Sequence, residues 1–468
     1  MALTGRPDGP PLLAPGPFAA AARAAVVRLR RLAGPRFPAD LDGAALLGEH
    51  AAILGLGRRG TIAPGGSCRL LRGADGWLAV NLTRPDDRRL VPAWLAEVEA
   101  AAGVSAVDDG GGEVSAAGAL DAADDDVWAR VARGVPRAAV APLVARARLL
   151  GLAAAVAAPP DASAPPLLRV TATGAPRVPP PGAVPLVVDL SALWAGPLCA
   201  HLLGLAGARV VKVESTGRPD GARRGPAAFH DLLNAGKESV ALDFASAADR
   251  AILRRLVMRA DVVVTSARRR ALLGLGLDAA ALAARVPGLT WVSITGYGHA
   301  GLGAEWVAFG DDAGVAAGLA IATGCRAAAS RVRANGSSSA PAEKDLPPLF
   351  CGDALADPLT GVHAAAAAYE SWRAGGGRLL DLALRDVVAH VLGDARGAGT
   401  AEVLPRQDAD AWEVVAGGER ETVRVPRARR PAGRARLLGA DTARVLADLD
   451  LEPARSPTPA APSARLTR

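Results

Sequence analysis

The chain has 468 residues, half of them hydrophobic, with a formal net charge of +7 and a sequence pI of about 9.9. A chain of this length can bury a large core and is expected to form more than one domain. The basic balance does not indicate nucleic-acid binding. Arginine is spread along the whole chain, and aromatic residues, which stack on bases, make up only 3%. The arginine-rich stretch 420–436 is predicted to be a solvated strand and loop.

The cysteine pattern predicts neither a metal site nor a disulfide framework. The four cysteines form no C-x-x-C pair, and none has a histidine at metal-ligand spacing. We therefore expect a cytoplasmic, reducing location. Residues 1–18 lack the charged start and apolar core of a signal peptide. No apolar run of membrane-spanning length is free of charge, proline and glycine, so no membrane association is expected.

The N-terminal third predicts a small α+β domain over residues 1–160. Two short apolar strands around Asp75-Gly76, within 67–82, have the pattern of a β-hairpin. A loose arm precedes it, and an acidic, glycine-rich loop is expected at 103–117. Helices are predicted over 20–32, 41–54, 86–98, 121–132 and 138–157. The G-x-G-x-x-G at 55–60 does not predict a nucleotide site, because no strand precedes it and Pro64-Gly65-Gly66 prevents a long helix after it.

Residues 161–183 are rich in proline and predict a partly extended linker. After it, apolar strands alternate with helices. Strands are expected at 184–190, 209–213, 239–244, 261–265 and 289–295, and helices at 195–206, 246–259 and 278–286. This alternation predicts a Rossmann-like α/β domain with an open parallel sheet over residues 184–400. Ligands bind at the carboxyl ends of such strands, which places Trp194, Glu214, Ser266 and Gly296 along one rim.

The C-terminal part is less regular. Residues 325–346 predict an irregular surface insertion, and 378–388 a strand followed by a helix. A returning segment is expected over 401–452, with a strand at 412–425 and a helix at 442–449. The tail 453–468 has the composition of a disordered segment.

Asp357 stands directly before Pro358 and an alanine-rich helical stretch. Because proline favours the first helical position, Asp357 is predicted at the N-cap, facing the positive end of the helix dipole. A carboxylate there can be stabilised, oriented and left partly exposed. The alternative is that Asp357 only caps the helix. Asp353, four residues earlier, is the rival carboxylate.

Several short motifs occur in a fixed order along residues 184–395. Trp194-Ala195-Gly196-Pro197 follows the first strand, and Asp357 begins a D-x-x-x-G motif that ends at Gly361. The motifs lie at 187–197, 207–214, 233–243, 260–264, 275–278, 293–298 and 357–361. Together they resemble the family III CoA-transferases, a group that includes formyl-CoA transferase, carnitine-CoA transferase and α-methylacyl-CoA racemase.

The resemblance implies a specific chemistry. Asp357 would attack an acyl-CoA thioester to give an acyl–enzyme anhydride, and the released CoA thiolate would form a thioester on the same carboxylate before passing to an acceptor acid. The partners would be an acyl-CoA and a carboxylic acid, with no permanently bound cofactor and no metal. Members form interlocked dimers, which implies a homodimer. The CoA-binding positions that the resemblance implies are Trp194, Ala195, Asn234, Lys237, Ser266 and Arg268.

The lysine content bears on one of these positions. Only Lys212, Lys237 and Lys344 occur in a chain rich in arginine, and two of them fall in the motifs. A retained lysine suggests a site that needs a compact ammonium group. The resemblance implies that Lys237 lies near the CoA phosphates, and the alternative is an ordinary surface lysine.

Some positions depart from the family pattern. Trp194 replaces a glutamine or small residue, Ser215 replaces an arginine or proline, and 266–270 keeps only Arg268 of an Asn-Phe-Arg-Pro-Gly motif. Gly310-Asp311-Asp312 stands where racemases carry Gly-His-Asp, which argues against racemase chemistry. We keep as alternatives an acyl-CoA epimerase and a CoA-binding relative without turnover.

The hairpin at 68–82 resembles the family's small domain, which normally follows the large one. Here it comes first, and Gly65 and Gly66 would form the glycine loop that precedes it. The segment 438–449 resembles the family's closing segment. The chain is therefore expected to be either a permuted member or one whose N-terminal half derives from a second copy.

Overall fold

The computed structural model describes residues 2–101, 116–172, 174–335, 347–393, 401–406 and 411–451. The α helices within these ranges are α1 Phe18–Ala33, α2 Gly43–Leu46, α3 Glu49–Leu54, α4 Pro85–Ala101, α5 Ala116–Gly134, α6 Val140–Leu149, α7 Ala195–Leu205, α8 Ala227–Asn234, α9 Ala247–Arg259, α10 Arg269–Gly274, α11 Ala279–Arg285, α12 Gly310–Ala316, α13 Leu319–Asn335, α14 Ala356–Arg373, α15 Leu384–Gly393 and α16 Thr442–Asp448. The strands are β1 Cys68–Arg72, β2 Trp77–Asn81, β3 Ala153–Ala157, β4 Arg169–Ala172, β5 Leu186–Leu190, β6 Arg209–Ser215, β7 Glu238–Leu242, β8 Val262–Thr265, β9 Thr290–Thr295, β10 Arg378–Ala383, β11 Ala401–Pro405, β12 Trp412–Ala416 and β13 Glu419–Thr422. Among the described helices, none has the length and apolar character needed to cross a bilayer.

A seven-stranded sheet forms the centre of the molecule, in the order β4-β10-β9-β8-β5-β6-β7. Only β4 is antiparallel to its neighbour, and the other pairs are parallel. Helices lie on both faces, so the central strands are buried on both sides and are rich in valine, as Val187, Val188 and Val263 show. This confirms the predicted α/β class. Antiparallel sheets β1-β2-β3 and β11-β12-β13 accompany it.

Helix α14 lies in the core beside α7 and α1. Its alanines 364–368 are buried, and such small side chains let neighbouring helices approach closely. Helix α1 contributes Phe18, Val26 and Leu29 to the same core. The first helices therefore pack with the large sheet, which differs from the predicted single small domain over 1–160.

The small sheet packs its two faces against different partners. One face forms a core with α4, α5 and α6 around Trp94, and the other meets Val315 of α12. The predicted helix 138–157 was wrong in its second half. Gly151, with a positive φ of 83°, follows the end of α6, and β3 then pairs antiparallel with β2. Alanine has the highest helix propensity, but propensity is a weak preference, and the hydrogen-bond ladder with β2 outweighs it in this segment.

Other predictions also need correction. The linker 161–183 contributes β4, which pairs with the edge of the large sheet, and the predicted helix 41–54 is two short helices. Helix α13 extends into the predicted irregular insertion 325–346, and the predicted strand 412–425 is the hairpin β12–β13. The acidic loop, except its last residues in α5, and the tail 453–468 lie outside the described residues.

The turn between α14 and β10 requires glycine at position 376. Gly376 has a φ of 62°, and a Cβ there would lie inside the Gly288 carbonyl. Gly55 has nearly the same φ, 64°, with nothing within 4 Å of a Cβ. We expect Gly55→Ala to cost about 1–2 kcal/mol in unfolding free energy for its backbone alone. Gly376→Ala should cost roughly 1–3 kcal/mol more because of the clash. Urea denaturation measures both, and equal losses would contradict this account of the turn.

Candidate functional site

The carboxyl ends of β5, β6, β8 and β9 lie along one edge of the large sheet, because these strands are parallel neighbours. Trp194 follows β5 as the residue before α7, and Ala195 is the first residue of that helix. The Ser266 hydroxyl, just after β8, accepts a hydrogen bond from the Ala192 N–H at 3.0 Å. This hydrogen bond brings Ser266 next to the turn after β5 that leads to Trp194.

Asp357 lies in the first turn of α14, but not at the N-cap that the sequence predicted. Leu355 is the N-cap, with φ −50° and ψ −32°, so Asp357 is the second helical residue and Pro358 the third. Proline is tolerated there because the first-turn N–H groups have no partner within the helix. The carboxyl group is still at the positive end of the helix.

One carboxyl oxygen of Asp357 is held by the backbone of α12. The Gly310 N–H donates to Asp357 Oδ2 at 2.9 Å. A Cβ on residue 310 would lie 2.5 Å from the same oxygen, so this approach requires glycine. Burial raises the pKa of Asp357 to about 7, with a further increase from the charge of Asp353, while the Gly310 hydrogen bond and His50 act in the opposite direction. Asp357 therefore combines an oriented, half-buried carboxyl group with a pKa near neutrality.

The D-x-x-x-G spacing has a packing reason. A Cβ on Gly361 would lie 2.6 Å from the Ala195 carbonyl oxygen, so α14 and α7 meet closely at this point. Asp357 precedes Gly361 by about one helical turn. The spacing therefore places Asp357 one turn before the point where α14 packs against Ala195, the first residue of α7.

The rival carboxylate, Asp353, is engaged elsewhere. Its Oδ2 lies 2.7 Å from His50 Nδ1, and its side chain is only 3% exposed. The His50 ring packs against Trp194 and Phe229, with centroid distances of 5.0 and 4.6 Å. Sequence reasoning missed His50, which lies 303 residues from Asp353 and in no recognisable motif. Only the fold brings the two together.

Two of the three described non-glycine residues with positive φ adjoin this site. Leu193, at 69°, precedes Trp194, and Ala354, at 40°, lies between Asp353 and Asp357. Each is held by a hydrogen bond from its N–H, to Asp220 Oδ1 at 3.0 Å and to Asp311 Oδ1 at 2.9 Å. Such strained backbone is concentrated at functional sites, where the surrounding structure enforces it.

Asp311 and Asp312 on α12 form an acidic cluster with Asp353 and Asp357. Burial and the neighbouring charge of Asp353 hold the pKa of Asp311 well above its usual value. Asp312 is fully buried, and its Oδ1 accepts hydrogen bonds from the Phe309 N–H at 2.9 Å and from Asn81 Nδ2 at 3.3 Å. Asn81 belongs to β2, so the small sheet contacts the cluster directly.

Asp312 gives the cluster a measurable pH dependence. Burial raises its pKa to about 7, and its Oδ2 has no hydrogen-bond partner among the described residues. Because the folded-state pKa exceeds the unfolded value near 3.9, this group destabilises the fold progressively as pH rises from about 4 to about 7. Asp312→Asn removes that titration. From about pH 5 to 8, wild type should lose roughly 2 kcal/mol more unfolding free energy than the variant. Parallel urea titrations at the two pH values would contradict this if both proteins lost the same amount.

Lys237 does not lie where the resemblance implied. Its ammonium group contacts Asp189 Oδ2 at 2.8 Å, the Pro197 carbonyl oxygen at 2.9 Å and Asn234 Oδ1 at 3.1 Å. These acceptors use all three N–H groups of a lysine. The side chain is 3% exposed, and burial lowers its pKa. The Asn234 amide donates to His230 O at 3.0 Å. Both residues are interior groups here, not phosphate-facing ones.

Arg268 is half-buried at the rim. Burial lowers its pKa, and the nearby positive charges of Arg270, Arg84 and Arg218 lower it further, against Glu305. A group of like charges of this kind favours an anionic ligand. Within the described ranges, no cluster of three or more histidine, cysteine, aspartate or glutamate residues has the geometry to hold a metal ion.

The predicted glycine loop reaches the acidic cluster. A Cβ on Gly65 would lie 3.8 Å from Asp353 Oδ1, and Gly66 has a φ of 84°. A segment far from Asp353 in sequence thus borders its carboxyl group. Gly65, His50 and Asn81 come from the N-terminal part of the chain, whereas Asp353 and Asp357 come from the C-terminal part.

Comparison with known proteins shows what this chain is similar to. Residues 185–410 match the family profile described as CoA-transferase family III. The chain is 32% identical over 223 residues to the succinate–glutarate CoA-transferase of Agrobacterium fabrum, which covers 44% of this chain and 51% of that protein. It is 28% identical over 213 residues to the succinyl-CoA–D-citramalate CoA-transferase of Chloroflexus aurantiacus, which covers 43% and 48%. The chain thus spans about half the length of these curated relatives.

A solved CAIB/BAIF family protein from Brucella suis is 32% identical, with a TM-score of 0.35. The match covers 45% of this chain and 54% of that one.

Proposed function

We propose that this chain is a member of CoA-transferase family III, whose profile its residues 185–410 match, and that it moves CoA from an acyl-CoA thioester to a carboxylic acid. The nucleophile in this proposal is Asp357. The observation that carries it is a half-buried carboxyl group that the Gly310 N–H holds in the first turn of α14, one turn before Gly361 packs against Ala195 at the rim of the parallel sheet.

The reaction follows from a free carboxylate oxygen. Asp357 Oδ1 attacks the thioester carbonyl carbon, the C–S bond breaks, and an acyl–aspartyl anhydride and CoA thiolate result. The thiolate then attacks the Asp357 carbonyl carbon and releases the donor acid, which leaves an enzyme–CoA thioester. The acceptor carboxylate repeats these two steps in reverse and leaves with the CoA.

The surroundings of Asp357 suit this chemistry. With a pKa near 7, a substantial fraction is ionised at neutral pH, and the carboxylate is more basic than an exposed one. The Gly310 N–H fixes one oxygen and leaves the other to react. Partial burial limits the water that would hydrolyse the anhydride.

The CoA moiety would lie along the rim. Trp194, Ala195 and Ser266 follow the ends of β5 and β8, and the positive charges around Arg268 suit its phosphates. Lys237 has a different role in this proposal. Its buried pair with Asp189 supports the rim from the interior.

We further propose that the N-terminal part is the family's small domain, placed before the large one. The contacts of Gly65 with Asp353 and of Asn81 with Asp312 support this, because they complete the acidic cluster within one chain. A cytoplasmic location and a homodimer remain part of the proposal. Light scattering tests the dimer.

The names of the relatives suggest where to begin a substrate search. One is named for succinate and glutarate, the other for succinyl-CoA and D-citramalate, so dicarboxylic acids are the first acceptor class. Succinyl-CoA and acetyl-CoA should be offered with a panel of acids, and new thioesters read by liquid chromatography. Transfer to at least one acid, lost in Asp357→Ala, would support the proposal.

Two other results would redirect it. Deuterium exchange at the α carbon of the thioester without CoA transfer would select an epimerase. CoA binding without turnover, unaffected by Asp357→Asn, would select a non-catalytic relative. For the epimerase, Asp311 stands at the position that the resemblance assigns to the racemase histidine; it accepts the Ala354 N–H, and burial raises its pKa, which is the shift that a carboxyl group acting as a base requires.

A further inference from the structure

His50 is oriented in a way that its packing role alone does not require. Its Nδ1 lies 2.7 Å from the buried Asp353 carboxylate. Among the described residues its hydrogen bond is made through Nδ1 and not through Nε2, and the side chain is 22% exposed. A carboxylate at Nδ1 fixes the orientation of the ring, which leaves Nε2 available to a second group.

The ring lies where the proposed reaction needs a proton carrier. It packs against Trp194, the residue before α7. It is hydrogen-bonded to Asp353, which lies four residues before Asp357. The Gly65 loop borders the same carboxylate. His50 therefore lies among the nucleophile, the rim and the N-terminal loop.

We propose that His50, oriented by Asp353, pairs with the sulfur of CoA and carries its proton during the transfer. This inference rests on the proposed function and extends it to a residue outside the matched region 185–410.

The step balances without any further reactant. When Asp357 displaces CoA, the thiolate forms an ion pair with the His50 imidazolium and can take the Nε2 proton to become the thiol, which leaves a neutral imidazole. His50 then recovers that proton as the thiolate attacks the Asp357 carbonyl carbon. A cation beside the sulfur lowers the pKa of the thiol, so a larger fraction of the CoA is present as the thiolate, which is the better nucleophile.

The charged groups around the ring are mostly acidic. Asp353 faces Nδ1, Asp357 on α14 interacts with His50 through charge, and Asp311 on α12 lies beside Asp353. Glu49, which precedes His50 in α3, forms an ion pair with Arg429, whose Nε lies 2.6 Å from Glu49 Oε1. On α8, which carries Phe229, Asp231 accepts the Ala435 N–H at 2.8 Å.

CoA itself is the probe for the test, so no acyl group need be known. With protein in excess, CoA is alkylated by iodoacetamide over a range of pH, and the alkylated CoA is quantified by mass spectrometry. The midpoint of the rate profile reports the pKa of the bound thiol, independently of how accessible the sulfur is. We expect a midpoint at least about one unit below that of free CoA, and a return to the free value in His50→Gln.

Matched variants separate this role from a structural one. Asp353→Asn should move the midpoint part of the way back, because the ring loses its charged partner. His390→Gln removes an imidazole bonded to Pro165 O, away from the site, and should leave the midpoint shifted as in wild type. Thermal melting shows which variants remain folded.

The outcomes distinguish the inference from the proposed function. If wild type and folded His50→Gln share one midpoint while CoA transfer is observed, the role of His50 is overturned and the transferase proposal stands. If wild type binds no CoA, both are overturned. A shifted midpoint that depends on His50 supports the inference even before the acceptor acid is known.

Discussion

Replacement of Asp357 by asparagine is expected to lower CoA transfer by at least about 10³-fold, because an amide oxygen cannot form the anhydride that the mechanism requires. The change keeps the shape of the side chain and an acceptor for the Gly310 N–H. Because burial raises the pKa of Asp357 to about 7, asparagine also removes a buried charge, so the unfolding free energy should not fall below that of wild type, and CoA affinity should change little. Steady-state kinetics with an active donor–acceptor pair measure the loss.

Two variants control this result. Asp357→Ala excludes activity restored by slow deamidation of the asparagine. Asp353→Asn removes the other carboxylate of the segment, whose oxygen is bonded to His50. It should retain covalent chemistry at Asp357. If Asp357→Ala kept a tenth or more of the wild-type kcat, Asp357 would not be the nucleophile.

A large loss of stability is expected on replacement of Lys237. Lys237→Met removes the ammonium that contacts Asp189, a carboxylate with no exposed side-chain surface. An unpaired buried charge typically costs about 3–5 kcal/mol. Lys212 also lowers the pKa of Asp189 through its charge and offsets part of the loss, so we expect about 3 kcal/mol. Urea denaturation measures the change.

The matched control is an exposed pair. Arg424 lies 3.0 Å from Glu421, with both side chains more than 70% exposed. Arg424→Met should change the unfolding free energy by less than about 0.5 kcal/mol, because such pairs are screened by water. Similar effects of the two substitutions would show that the Asp189–Lys237 pair is not important for stability.

The sequence predicted local features well where one physical signal dominated. Valine-rich strands alternating with helices predicted the parallel sheet, and Asp75-Gly76 predicted the β1–β2 hairpin. The position of Asp357 one turn before Gly361 also had a local cause, which is the contact of Gly361 with Ala195. Propensity failed at β3, where pairing with β2 outweighs the helical preference of alanine.

For Lys237, the sequence indicated the right side-chain chemistry but the wrong location. A lysine retained among many arginines did indicate a site that needs a compact ammonium. That site is an interior pocket formed by Asp189, Pro197 and Asn234, and not a surface for phosphates. The sequence could not distinguish the two, because both require the same side-chain chemistry.

His50 was beyond the reach of sequence reasoning. Its partner Asp353 lies 303 residues away, and the contact exists because α3 and the segment before α14 meet near the N-terminus of α7. Long-range contacts of this kind depend on the packing of the first helices against the large sheet. That packing also differs from the predicted domain boundary.

The most direct test of the central claim is to trap the covalent intermediate. Protein incubated with succinyl-CoA, acetyl-CoA and other thioesters is quenched with hydroxylamine, digested and analysed by mass spectrometry. The account predicts a hydroxamate on Asp357 that requires a thioester and is absent from Asp357→Ala. A hydroxamate on Asp353 instead, or CoA transfer with no modified carboxylate in the peptide that contains Asp357, would contradict it.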